Sequence, residues 1–141
     1  MQSFAKIQKR LRNDLPKFDK LKNSNYIVFI GQSWVKEKLF HYEEEQTKII
    51  KFLFQKKIDF IYCIHPRENK SSKGDHLVKG FNGLVNYINR RGMPKLVINM
   101  HSSLGYELLE CGLNVSFLIE SDYLKKKYVV NLRELERLID T

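Results

Sequence analysis

Short continuous apolar runs alternate along the chain with longer stretches whose apolar residues recur at helical spacing. This switching of period lays out the elements. YIVFI (Tyr26 to Ile30), DFIYCI (Asp59 to Ile64), KLVIN (Lys95 to Asn99) and NVSFLI (Asn114 to Ile119) predict four buried strands. Between them, Glu43 to Lys57 carries Ile49, Ile50, Leu53 and Phe54 at helical spacing. Leu77 to Asn89 places Leu77, Phe81, Leu84, Val85 and Ile88 on one helix face. Ser103 to Cys111 predicts a short helix stopped by Gly112, and Asn131 to Ile139 a last one with Asn131 as its N-cap. Ahead of all these, Phe4, Ile7, Leu11 and Phe18 mark an amphipathic helix interrupted near Pro16.

Strands that are apolar on both faces and joined by helices imply a parallel sheet covered on both sides, because right-handed crossovers place the helices there. The expected fold is α/β and Rossmann-like, with a basic helical segment over residues 1–24 and the sheet domain over residues 25–141. Ligands of such sheets bind outside the carboxyl ends of the strands. Three predicted strand exits carry chemically capable residues: Gly31-Gln32-Ser33, His65-Pro66-Arg67-Glu68 and His101-Ser102-Ser103-Leu104-Gly105.

Composition fits one core: 141 residues, 43% hydrophobic and 12% aromatic, are enough for a single globular domain. The sequence has no apolar run of membrane-spanning length and no signal-peptide pattern, so the expectation is a soluble, cytoplasmic chain. Cys63 and Cys111 lack metal spacing and read as small buried hydrophobes. A net charge of +9 draws anions, whether nucleic acid, anionic lipid or a phosphorylated small molecule. Lysine and arginine runs such as those at the start of the chain and at Lys125 to Lys127 are usually solvated faces.

The strand exits narrow the choice of anion. Ser102 and Ser103 open a helix directly after a strand, where free amides and hydroxyls make a phosphate site; capping alone would also explain them. His65 can meet a phosphate as a cation or protonate a departing phosphate oxygen. Arg67 can clamp an anion or pair with Glu68, and Pro66 would end the strand. Gly31 permits close backbone approach, and Gln32 can bond a sugar or base. Among Glu37, Glu43, Glu44 and Glu45 a carboxylate could take a proton from an acceptor hydroxyl, although acids also suit a helix N-terminus.

FIGQ (Phe29 to Gln32), IYCIHPRE (Ile61 to Glu68) and INMHSSLGYELL (Ile98 to Leu109), in that order, resemble the bacterial sialyltransferases, in particular the lipooligosaccharide sialyltransferases of glycosyltransferase family 52. Their relatives, the polysialyltransferases among them, share a His-Pro motif and a Ser-Ser or Ser-Thr motif. The resemblance implies the nucleotide-binding C-terminal half of a GT-B fold and inverting, metal-independent transfer from CMP-sialic acid to a lipooligosaccharide or capsular glycan, with no cofactor. His65 would contact the CMP phosphate and act as general acid. Ser102 and Ser103 would bind that phosphate, with Gly31, Gln32, Pro66, Arg67 and His101 lining the donor site.

The family's acidic motif, two acids followed by glycine, is replaced by Lys36-Glu37-Lys38, which leaves Glu37 and Glu43 as candidate bases. The resemblance also implies an N-terminal half that this sequence does not contain. It is compatible with a partner supplying that half or with a homo-oligomer, and the basic segment over residues 1–24 suits either peripheral contact to an anionic inner membrane face or an interdomain helix.

A rival of another class is a non-catalytic basic nucleic-acid-binding module. It requires exposed aromatics, whereas Phe29, Phe52, Phe54, Phe60 and Tyr62 fall on predicted core faces, so nucleic acid is not the expected partner. A third reading is a different nucleotide-sugar or nucleotide-binding Rossmann enzyme, for which NAD and ATP sites are disfavoured because neither Gly-x-Gly-x-x-Gly nor a Walker lysine loop is present.

Overall fold

The computed structural model describes residues 21–31, 40–64, 77–100, 102–119 and 126–140. In chain order the elements are β1 (Ile27–Ile30), α1 (Phe40–Gln55), β2 (Phe60–Ile64), β3 (Leu77–Lys79), α2 (Gly80–Arg91), β4 (Leu96–Asn99), α3 (Ser103–Glu110), β5 (Val115–Phe117), a 3-10 turn (Lys126–Tyr128) and α4 (Leu132–Asp140). The five strands form one parallel sheet in the order β3-β2-β1-β4-β5. The α/β, Rossmann-like class expected from the sequence is the one observed. Among the described residues no helix is long and apolar enough to cross a membrane.

Alternation within each strand divides the core in two. Val28 and Ile30 of β1 join Cys63, Val97, Val115 and Phe117 on one face, against Leu84 and Ile88 of α2 and Leu108 of α3. Ile27 and Phe29 join Phe60, Tyr62, Ile64, Leu96 and Ile98 on the other, against Ile49 and Leu53 of α1 and Leu135 and Ile139 of α4. The direction of travel explains the split. From β1 the chain crosses one way to β2, and from β3 and β4 it crosses back the other way, so a constant right hand puts α1 and α2/α3 on opposite faces.

Three expectations are corrected. The helix expected over Leu77 to Asn89 is a strand followed by a helix. Leu77 and Val78 pair with Tyr62 and Cys63 of β2, and Gly80, at φ 69°, turns the chain into α2. Phe54 was expected on a core face but is 57% exposed, and Phe52 is only half-buried. Gln46, Ile49 and Leu53 take the inward stripe of α1, and one residue further rotates the side chain about 100° away. The Gln46 amide is nevertheless buried, and donates to the Tyr62 hydroxyl at 3.0 Å. Third, Cys111 is half-buried at the end of α3 rather than fully buried like Cys63, and neither is in a disulfide.

Helix ends follow local rules. Asn131 accepts from the Glu134 amide at 2.8 Å, and Glu134 reaches back to the Asn131 amide at 3.4 Å, a reciprocal capping box that fixes the start of α4. The end of α1 has Schellman geometry: Ile58 N–H donates to Leu53 O at 3.0 Å and Lys57 N–H to Phe54 O at 3.1 Å. Lys57 sits at φ 54° in the left-handed position that glycine adopts most easily.

The amino edge of the sheet is tied by Arg91. Its guanidinium lies 4.2 Å from the Tyr26 ring centroid, donates to the Tyr87 hydroxyl at 2.5 Å and pairs with Asp59. The buried Tyr26 hydroxyl donates to Gly92 O at 2.6 Å, and burial first, then Tyr87, pushes its pKa well above the ordinary phenol value.

Lys57→Gly should raise stability by up to about 1 kcal/mol, because relief of the left-handed strain outweighs the extra freedom of the unfolded chain. Urea denaturation measures it; unchanged or lower stability would contradict the strain assigned to this turn.

Candidate functional site

The strand order reverses at β1, whose neighbours β2 and β4 lead to opposite ends of the sheet. In open parallel sheets the crevice outside the carboxyl ends of such a pair of strands is where ligands bind. Registers are flush there. Ile30 lies opposite both Cys63 and Asn99, and Gly31 N–H donates to Cys63 O at 2.9 Å. The exits of β2, β1 and β4 therefore stand side by side, with β1 between the other two.

Of the candidate site residues singled out from the sequence, Gly31, Ser102, Ser103, Glu43, Glu44 and Glu45 are described. Gln32, Ser33, Glu37, His65, Pro66, Arg67, Glu68 and His101 lie outside the described residues. Gly31 is buried at the end of β1. Ser102 and Ser103 stand at the start of α3, on the exit of β4. Glu43 is in the first turn of α1, whose N-terminal end faces the same edge because α1 follows β1. Its carbonyl accepts from the Thr47 hydroxyl at 2.9 Å.

The sequence reading missed the residue that shapes the serine turn. Asn99, the last residue of β4, is fully buried. Its Oδ1 accepts from Ser102 N–H and its Nδ2 donates to Ser102 O, each at 3.1 Å, so one amide closes a ring around Ser102. Ser102 is extended (φ −81°, ψ 143°), and its Oγ accepts from Leu104 N–H at 3.3 Å as an N-cap. Gly105 N–H donates to Ser102 O at 3.1 Å. Gly105 has a steric role as well: a Cβ there would lie 2.9 Å from Asn99 Cβ and closer still to its amide. The signal was a lone polar residue ending an apolar strand, followed six positions later by a glycine inside a helix. Glu107, one turn beyond Ser103, is also buried, 3% exposed, and was passed over.

Following the donors one by one separates the two serines. The Ser102 amide is spent on Asn99, the Leu104 amide on Ser102 Oγ and the Gly105 amide on Ser102 O. Among the described residues nothing bonds the amide or hydroxyl of Ser103. The Ser102 hydroxyl, which accepts from Leu104, keeps its own proton to donate. Three donors at the positive end of an eight-residue helix thus remain for an anion. Among the described residues no group of three or more His, Cys, Asp or Glu could hold a metal ion.

Two substitutions check this construction. Ser102→Ala removes a cap and should cost about 1 kcal/mol of stability. Gly105→Ala drives a methyl group into the Asn99 amide and should cost about 1–3 kcal/mol. Both are read from denaturant midpoints, and a Gly105→Ala protein as stable as wild type would mean that Asn99 is not held as described.

No protein-family model, no curated protein and no solved structure matches the chain.

Proposed function

We propose that the carboxyl edge of this sheet binds the CMP moiety of CMP-sialic acid and serves inverting sialyl transfer to a lipooligosaccharide or capsular glycan. The observation that carries this reading is the serine pair at the start of α3, with Ser103 uncommitted, standing in the crevice where the strand order reverses. The motifs around Gly31, His65 and Ser102 supply the identity of the nucleotide by their resemblance to the sialyltransferases.

Each group has a role. The Ser103 amide and hydroxyl, with the Ser102 hydroxyl, donate to phosphate oxygens, and the dipole of α3 favours the charge. Gly31 lets the nucleotide approach the backbone after β1. His65 protonates the phosphate oxygen as the bond to the anomeric carbon breaks. Glu37 or Glu43 accepts the proton of the attacking hydroxyl on the opposite side of the sugar. Gln32, Pro66, Arg67 and His101 complete the donor site. The phosphate charge is met by hydroxyls, amides and imidazole, so the reading calls for no metal or other cofactor. The burial of Phe29, Phe60 and Tyr62 favours it over a nucleic-acid surface, which would need such rings exposed for stacking.

Calorimetric titration tests it with CMP, UMP and AMP on wild type, Ser102→Ala and Ser103→Ala. CMP should bind tightest. Ser103→Ala should weaken CMP about tenfold, the loss of hydrogen bonds to a charged group, without lowering the melting temperature. Ser102→Ala should lower the melting temperature and weaken CMP less. Equal, weak affinity for all three nucleotides, untouched by either change, would remove the assignment.

A further inference from the structure

The C-terminal corner of α1 carries features that the nucleotide reading does not use. Phe54 is the most exposed large apolar side chain among the described residues, at 57%. Its ring stands edge-on to Phe60, centroids 5.0 Å apart at 77°, so it is held in place while facing outward. Lys51 and Lys57, three residues before and after it in the chain, and Lys56, whose Nζ lies 5.8 Å from the Phe52 ring centroid, are all exposed, and no acidic residue occurs from Gln46 to Ile58. The next acid, Asp59, is paired with Arg91.

Lysines at a helix C-terminus have an ordinary explanation in the helix dipole. That explanation covers neither the outward phenylalanine nor Lys57 held at φ 54° where glycine would relax the turn. We propose that this corner docks on an anionic lipid surface, with Phe54 entering the headgroup boundary and the three lysines meeting lipid phosphates. Charge complementarity selects the occupant. A second copy of the chain would bring the same lysines face to face across a twofold axis, which is repulsive. A single-stranded nucleic acid would want successive exposed rings, and here the neighbouring ring, Phe60, is buried.

The location suits such docking. The end of α1 leads into the start of β2, at the amino edge of the sheet, a strand's length of roughly 15 Å from the edge where Ser102 and Ser103 stand. Membrane contact through Phe54 leaves the carboxyl edge open, and the inference stands whether or not that edge binds CMP.

The test is co-sedimentation with phosphatidylcholine vesicles, pure or mixed roughly three to one with phosphatidylglycerol. Wild type is compared with Phe54→Ala and Lys51→Gln/Lys56→Gln, their folds checked by thermal melting. Wild type should bind the mixed vesicles and not the pure ones. Each lysine removed should weaken partitioning about fivefold, and Phe54→Ala about tenfold. Three results would overturn the proposal: variants that bind as wild type does, vesicle binding abolished by single-stranded RNA competing for the same residues, or a dimer in solution that Phe54→Ala dissociates.

Discussion

The structure depends on the burial of β1 from both sides. Ile27, Val28, Phe29 and Ile30 are each at most 2% exposed, two pointing to either face, and β2 and β4 are hydrogen-bonded along both flanks. A strand so enclosed offers no side chain to solvent, and the same is true of most of β2 and β4. Chemistry is therefore forced to the ends of the strands. At the carboxyl ends the chain emerges into helix N-termini, whose amides have no partner within the helix. The position of the candidate site is thus a consequence of the core and not a separate invention.

Within that edge, the buried Asn99 amide decides what the serines can do. A side chain that excludes water this fully must bond both its oxygen and its nitrogen, since an unsatisfied buried amide costs about 1–3 kcal/mol. It bonds both to one residue, Ser102, and by doing so fixes the turn through which β4 enters α3. Ser102 fixes the turn and keeps only its hydroxyl proton to donate, while among the described residues nothing bonds the amide or hydroxyl of Ser103. Gly105 completes the device by leaving room for the amide. Two adjacent residues of one type have acquired different work through the geometry of a third.

The fold was legible because buried parallel strands are written as uninterrupted apolar runs, and those around Tyr26, Asp59, Lys95 and Asn114 were long enough to read. β3 was not, for a physical reason: Leu77 falls in helical phase with Phe81, Leu84 and Ile88, so three strand residues extended a genuine helical stripe. Gly80, the one residue that interrupts the phase, was the signal. Phe54 was misplaced because apolarity at helical spacing marks a stripe but not its width, and Leu53 already filled the inward position. Of the site, Gly31 and the serine pair were legible as punctuation after strands. The division between Ser102 and Ser103 was not, because it lies in which oxygen faces which amide, and composition does not encode that.

One asymmetry ties the two edges of the sheet together. All five strands run the same way, so the helices that return the chain run roughly the other way, and their dipoles add rather than cancel. The carboxyl edge gathers helix N-termini and favours an anion. The amino edge gathers C-termini and favours cations, which is where Arg90 and Arg91 end α2 and Lys56 and Lys57 follow α1. Uncommitted donors at a helix start on one edge and basic side chains on the other therefore share one cause, parallel topology. The cationic edge needs no partner to account for its charge. Phe54 is different, because no dipole calls for an aromatic ring in water, and it is that ring rather than the lysines that argues for a surface on the other side.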